Sequence, residues 1–362
     1  MTTYLARPPA GPARKMLRRK IGAVAACCAL LVLGACGGAT GTDSASGGSG
    51  DSAKPLIYGI YATPLEEPWD GAIHTALTQA AADGKIRYKH VDNLKTSDAL
   101  ERSLRDVARS EKPAAIMGDA FAAEEAVRKV AAEFPSTPFV FGSGNKPAAP
   151  NMSVFDNWLQ DPAYLAGMLA GGLTKSNTIG VVGAMPIPEV NRIVNAFVQG
   201  IKVTNPKATV KVSFINTFFD PAAAKQSAQA QISAGADVLF AERDGVIAAA
   251  KEANIPVIGM MIDQSKDAPK NVVTSLMWNV GPTVDAVVKQ ATGQPAADDL
   301  GKYSFMKAGG SALAPLNTTV VGGIPDALAK QVASKQEELK NGTFVTPVDE
   351  SAPAGSIAVA GK

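Results

Sequence analysis

Acidic and aromatic side chains recur in this chain at one kind of position, the loop that follows a predicted strand. Trp69 and Phe121 sit in such loops in the first half, with Asp119 beside the latter. Glu242, Asp244, Asp263, Trp278 and Asn279 do so in the second half. Carboxylates accept hydrogen bonds from N–H and hydroxyl groups, and aromatic faces suit flat rings. The set fits recognition of a small molecule better than turnover. No Gly-x-Ser-x-Gly elbow, Walker loop or Gly-x-Gly-x-x-Gly after a strand occurs, and Glu66 and Glu67 are adjacent, so they need not converge as an acid–base pair. We therefore expect a binding protein and not an enzyme. Each residue also has a plainer role open to it. Asp119 and Asp244 suit helix caps, Trp69 can pack the start of its helix, and Trp278 can fill a core. Phe218, Phe219 and His74 read first as packing residues.

Metal and thiol chemistry have little to work with. The only histidines are His74 and His90, and Cys27, Cys28 and Cys36 all lie in the first tenth of the sequence. The body therefore has no thiol nucleophile, disulfide framework or cysteine zinc site, and no metal or cofactor is expected. Net charge is +2 over 362 residues, with no basic stripe interleaved with aromatics, so nucleic-acid binding has no electrostatic support.

The N-terminus reads as a targeting segment. Arg14, Lys15, Arg18, Arg19 and Lys20 precede an apolar run from Ile21 to Leu33, too short for a good membrane span. The run ends in Leu33-Gly34-Ala35-Cys36, which resembles a bacterial lipobox and points to lipidation at Cys36. Gly, Ser, Thr and Asp then dominate a stretch that cannot bury apolar surface and suits a tether. The expected organisation is a signal over 1–36 and a flexible tether over 37–54, followed by the body.

From Pro55 onward strands alternate with helices, the pattern of βαβ units and parallel sheets. One series runs from Leu56 to Gly142. A second is expected to open with Met152–Phe155 and run through Pro256–Ile262. Val272–Met277 and the helix Pro282–Ala291 are expected to return to the first series, and the chain from Tyr303 to cross back. The predicted fold is α/β, with two doubly wound parallel-sheet lobes and a hinge: lobe I over 55–151 and 264–302, lobe II over 152–263 and 303–348. Ligands in open α/β sheets bind beyond the carboxyl ends of the strands, so two facing lobes place the loops above on one cleft.

At these residues the chain resembles the basic membrane protein family, the purine-nucleoside-type substrate-binding lipoproteins of ABC importers. The similarity runs through Tyr164-Leu165-Ala166-Gly167, Pro186-Ile187-Pro188-Glu189-Val190, Asn195-Ala196-Phe197, Asp220-Pro221, Gly235-Ala236-Asp237-Val238 and Trp278-Asn279. It implies the type I periplasmic-binding fold, a purine-like ligand, ABC permease and ATPase partners, no cofactor, and a lipid-anchored place on the outer face of the cell membrane. The chain departs from the family in three places. Met261 stands where nucleoside binders carry an acid, Trp278 where most carry a lysine, and the first loop reads Glu66-Glu67-Pro68-Trp69. These changes favour a free base over a ribonucleoside. A different small polar ligand such as an amino sugar, a sensing role, and least of all an exported nucleoside hydrolase are the competing readings.

Overall fold

The structure is a computed structural model whose described residues are 54–121 and 123–358. The expected signal, Cys36 and nearly all of the expected tether lie outside them.

The first sheet is built from β1 (Leu56–Ile60), β2 (Arg87–Val91), β3 (Ala115–Asp119), β4 (Phe139–Gly142) and β5 (Met152–Phe155), all parallel, in the order β2-β1-β3-β4-β5. The connecting helices are α1 (Pro68–Ala82), α2 (Ser97–Ser110) and α3 (Glu124–Glu133). Strands β3 to β5 are buried along their whole length, as expected for a sheet covered on both faces. Thr96 caps α2, its hydroxyl accepting from the backbone N–H of Ala99.

The second sheet repeats this winding. Its strands β6 (Thr178–Gly183), β7 (Thr209–Phe214), β8 (Val238–Ala241), β9 (Val257–Met261) and β10 (Val272–Trp278) take the order β7-β6-β8-β9-β10. The helices are α4 (Gln160–Leu173), α5 (Pro188–Thr204), α6 (Pro221–Ser233) and α7 (Val246–Ala253). Helices α4 and α5 lie backbone to backbone: a Cβ on Gly200 would stand 1.9 Å from the carbonyl oxygen of Tyr164. After α8 (Gly281–Thr292), β11 (Ser311–Leu313) adds to β10 antiparallel, α9 (Asp326–Asn341) follows, and β12 (Ile357–Ala358) closes the far edge beside β7.

Two strand placements correct the sequence reading. Met152–Phe155 pairs with β4 and belongs to the first sheet, and Val272–Trp278 pairs with β9 and belongs to the second. Each is the fifth strand of its sheet, and the chain changes lobe immediately after it. Helix α4 packs on α5, whereas α8 returns to the first lobe and packs on α1, and Asp285 meets Lys85, in the turn after α1, at 2.8 Å. A third crossing runs from Leu300, whose N–H bonds Val154, to β11.

The three crossings are tied to one another. Ser304 donates its hydroxyl to the carbonyl of Asp156 at 2.5 Å and accepts the indole N–H of Trp278 at 3.2 Å. Asn279 donates from its side chain to the Gly309 carbonyl and from its backbone to Gly310, both at 2.9 Å. Crossing segments linked in this way form a hinge.

Candidate functional site

The two sheets present the carboxyl ends of their strands to a common cleft, next to the switch points between β1 and β3 and between β6 and β8. The first lobe contributes the start of α1. Glu67 is its N-cap, and Oε2 accepts from the backbone N–H of Trp69 at 2.9 Å and of Asp70 at 3.1 Å. Asp70 Oδ2 accepts from the backbone and hydroxyl of Thr63, fixing the loop after β1. The Trp69 indole lies flat against Phe155 at 5.7 Å and tilts over Trp278 at 5.0 Å. Its ring passes over Gly142, where a Cβ would stand 1.9 Å from the indole, so only glycine fits. Asp119, the last residue of β3, accepts from the N–H of Phe121 at 2.8 Å.

The second lobe contributes the ends of β7 and β8 and the start of α5. Arg243 donates to Glu242 at 2.8 and 3.1 Å and to the Phe218 carbonyl at 3.1 Å. Glu242 also accepts the N–H of Ala184. Its carboxylate is thus consumed in holding Arg243. Across the cleft, Arg243 Nη1 lies 3.7 Å from Glu67 Oε1, and the Phe121 and Phe218 rings meet edge to face at 4.8 Å.

Between these groups lies a cavity of ≈ 60 Å³, walled by Glu67, Trp69, Asp119 and Phe121 from the first lobe and by Glu189 and Phe218 from the second. A smaller void of ≈ 10 Å³ behind Phe218 is bordered by Arg243, Asp244, Met261 and Gln264. Ser143, Asn216 and Met261, at the ends of β4, β7 and β9, have φ of 56°, 58° and 69°, a left-handed conformation that ordinary side chains avoid. Strained backbone of this kind concentrates at ligand sites.

Electrostatically the cavity is acidic. Burial pushes the Asp119 carboxyl well above its ordinary range, and repulsion from Asp70 adds to this. Glu189 is pushed up to about 8 by burial and then by Asp156. Asp70 rises to about 7, mainly through burial. Burial also raises Glu67, against the pull of Arg243. The nearby cations are already engaged: Arg243 by Glu242, and Arg192 by Asp156 at 2.6 Å.

Of the residues expected from the sequence, Trp69, Asp119 and Phe121 line the larger cavity, and Glu242 and Asp244 border the smaller void. Asp263 is exposed and caps its own turn through the N–H of Ser265 at 2.9 Å. Trp278 and Asn279 lie in the hinge. Reading the sequence did not single out Glu67, Ser143 or Glu189 as site residues. The left-handed turn at Ser143 and the plain position of Glu189 in the first turn of α5 give no local signal. Among the described residues no group of three or more His, Cys, Asp or Glu side chains is placed to hold a metal, and no helix is long and apolar enough to cross a membrane.

Residues 63–349 match the sequence profile of the Bmp family, the PnrA-like ABC transporter substrate-binding proteins. The chain belongs to this family. A substrate-binding protein of an ABC importer binds a small molecule on the outer side of the membrane for the transporter's permease and ATPase. Within the curated proteins, a candidate ABC transporter glucose-binding protein of Haloferax volcanii is 35% identical over 178 residues, 48% of this chain and 45% of that protein. The chain therefore matches less than half the length of that relative. A purine-binding protein of Brucella abortus is 28% identical over 269 residues, 74% of either chain. A solved ABC transporter solute-binding protein from Conexibacter woesei superposes with a TM-score of 0.65 at 22% identity, covering 81% of this chain and 99% of that one. That likeness carries the fold: two type I periplasmic-binding lobes.

Proposed function

We propose that this family member is a lipid-anchored, non-enzymatic binding protein that captures a flat, purine-like heterocycle in the cleft and delivers it to an ABC importer. The observation that carries the reading is the grouping of Phe121 and Phe218, one from each lobe, with Asp119 around a single cavity. Two rings from opposite lobes can enclose a flat ligand, and a buried carboxyl can accept its N–H groups. A free base fits better than its ribonucleoside. The space behind Phe218 is narrow, and Arg243, the cation that borders it, is already bonded to Glu242. A sugar is the second reading, favoured by the excess of acceptors in the cavity, which also suit hydroxyl donors, and by the Haloferax relative's name.

A thermal-shift screen of residues 54–362 with purine bases, ribonucleosides, glucose and amino sugars tests this. A true ligand at 100 times its Kd stabilises the protein by about 2.7 kcal/mol. Stabilisation by bases supports the proposal, and stabilisation by sugars alone replaces it.

A further inference from the structure

Glu189 is the second residue of α5, reaches the larger cavity from the second lobe, and is 8% exposed. Among the described residues no hydrogen bond reaches its carboxyl, which lines the cavity, and Glu67 Oε1 on the opposite wall is buried without a partner, although buried acceptors are nearly always paired. Arg192, whose charge acts on Glu189, is held by Asp156 at 2.6 Å and Glu350 at 3.2 Å through its two Nη groups and makes no ion pair with Glu189. On the opposite wall, Trp69 is 7% exposed and its Nε1 is likewise without a partner among the described residues. The cavity thus offers acceptors on both lobes, Asp119 and Glu67 on one and Glu189 on the other, together with the Trp69 indole N–H and the O–H of carboxyls that burial keeps protonated. An aminopurine base is the complement of that set. It has an exocyclic amine, an imidazole N–H at the far edge, and ring nitrogens that accept. Its N-glycoside has lost the imidazole N–H.

Resting on the purine reading above, we propose that Glu189 is a specificity-determining residue. It accepts the imidazole N–H of a free purine base opposite Asp119, and so selects bases over purines substituted at that nitrogen. A substituted purine leaves the Glu189 acceptor buried and unpaired, which should weaken binding by about 10- to 100-fold.

The test is calorimetric titration of the purified full chain with adenine and with 9-methyladenine, for the wild type and for Glu189→Leu. The methyl group blocks the same nitrogen as ribose with little added bulk. The wild type should bind adenine at least about 10-fold more tightly, and Glu189→Leu should bring the two ligands within about 3-fold by weakening adenine. Glu189→Ala serves the same purpose if the leucine variant does not fold. Equal wild-type affinities, or a preference that survives both substitutions, overturns the role of Glu189 while leaving the purine reading intact. Binding of neither ligand by the wild type overturns both.

Discussion

Glu67 of the first lobe and Arg243 of the second face each other at 3.7 Å, with side chains 3% and 5% exposed. Glu67 is also the cap of α1, and Arg243 is braced by Glu242, so each partner is fixed by its own lobe before the two meet. The pair ties the two lobes together beside the contact between Phe121 and Phe218, as a latch would.

Loss of the latch should separate stability from closure. Arg243→Met leaves Glu242 buried without its counter-ion and should cost about 3–5 kcal/mol in denaturant unfolding. Glu67→Gln keeps an acceptor for the cap and should cost less stability. It should still weaken ligand binding by about 5- to 30-fold and raise the radius of gyration of the ligand-free body in small-angle scattering. An unchanged scattering profile in Glu67→Gln would remove the latch from the account.

The buried acids set a pH dependence whose sign is fixed. The folded-state pKa of Glu189, about 8, lies above its ordinary 4.5, and that of Asp70, about 7, above 3.8. Between the ordinary and the raised values the folded chain holds protons that the unfolded chain has released. Their contribution is therefore fully present below about pH 4 and is lost as pH rises toward 7 and 8. Glu189→Gln removes one of these groups. Its melting temperature should rise relative to wild type between pH 5 and 9, and a constant difference across that range would contradict the burial argument.

Much of the fold was legible and the membership of its sheets was not. Alternation of apolar runs and helical stretches located every strand of both doubly wound series. Periodicity shows that Met152–Phe155 and Val272–Trp278 are strands, yet says nothing of which neighbour they pair with. Both were misplaced because the lobe change follows the fifth strand instead of preceding it. In the site, Trp69, Asp119 and Phe121 were readable because strand-end loops converge. Asp263 and Asn279 follow strands equally well but bond within their own turns or to the hinge. Glu67 went unmarked because glutamate is not among the favoured caps, and Glu189 because an acid in a first turn ordinarily just complements the helix dipole.

Trp278 and Asp263 give contrasting controls. Trp278 packs on Trp69 and Phe155 and bonds Ser304 in the hinge, so Trp278→Ala should destabilise by about 3–5 kcal/mol. Asp263→Asn touches only an exposed turn and should change stability by no more than about 0.5 kcal/mol and leave affinity unaltered. A tenfold affinity loss in Asp263→Asn would return that residue to the site.

The proposed membrane attachment rests on Cys36 in Leu33-Gly34-Ala35-Cys36. Cys36→Ala should release the protein from the membrane fraction or leave an unprocessed precursor, as read by fractionation and intact mass. The same mature mass and membrane fraction as wild type would exclude lipidation there.

Capture of a flat heterocycle in the cavity walled by Phe121 and Phe218 is tested most directly by calorimetric titration of residues 54–362 with adenine, hypoxanthine and guanine, their ribonucleosides, and glucose. Saturable 1:1 binding of at least one base is expected, tighter than its ribonucleoside, with a loss of about 10-fold or more in Phe218→Ala and in Asp119→Asn. Binding of glucose with no heat from any purine would contradict it.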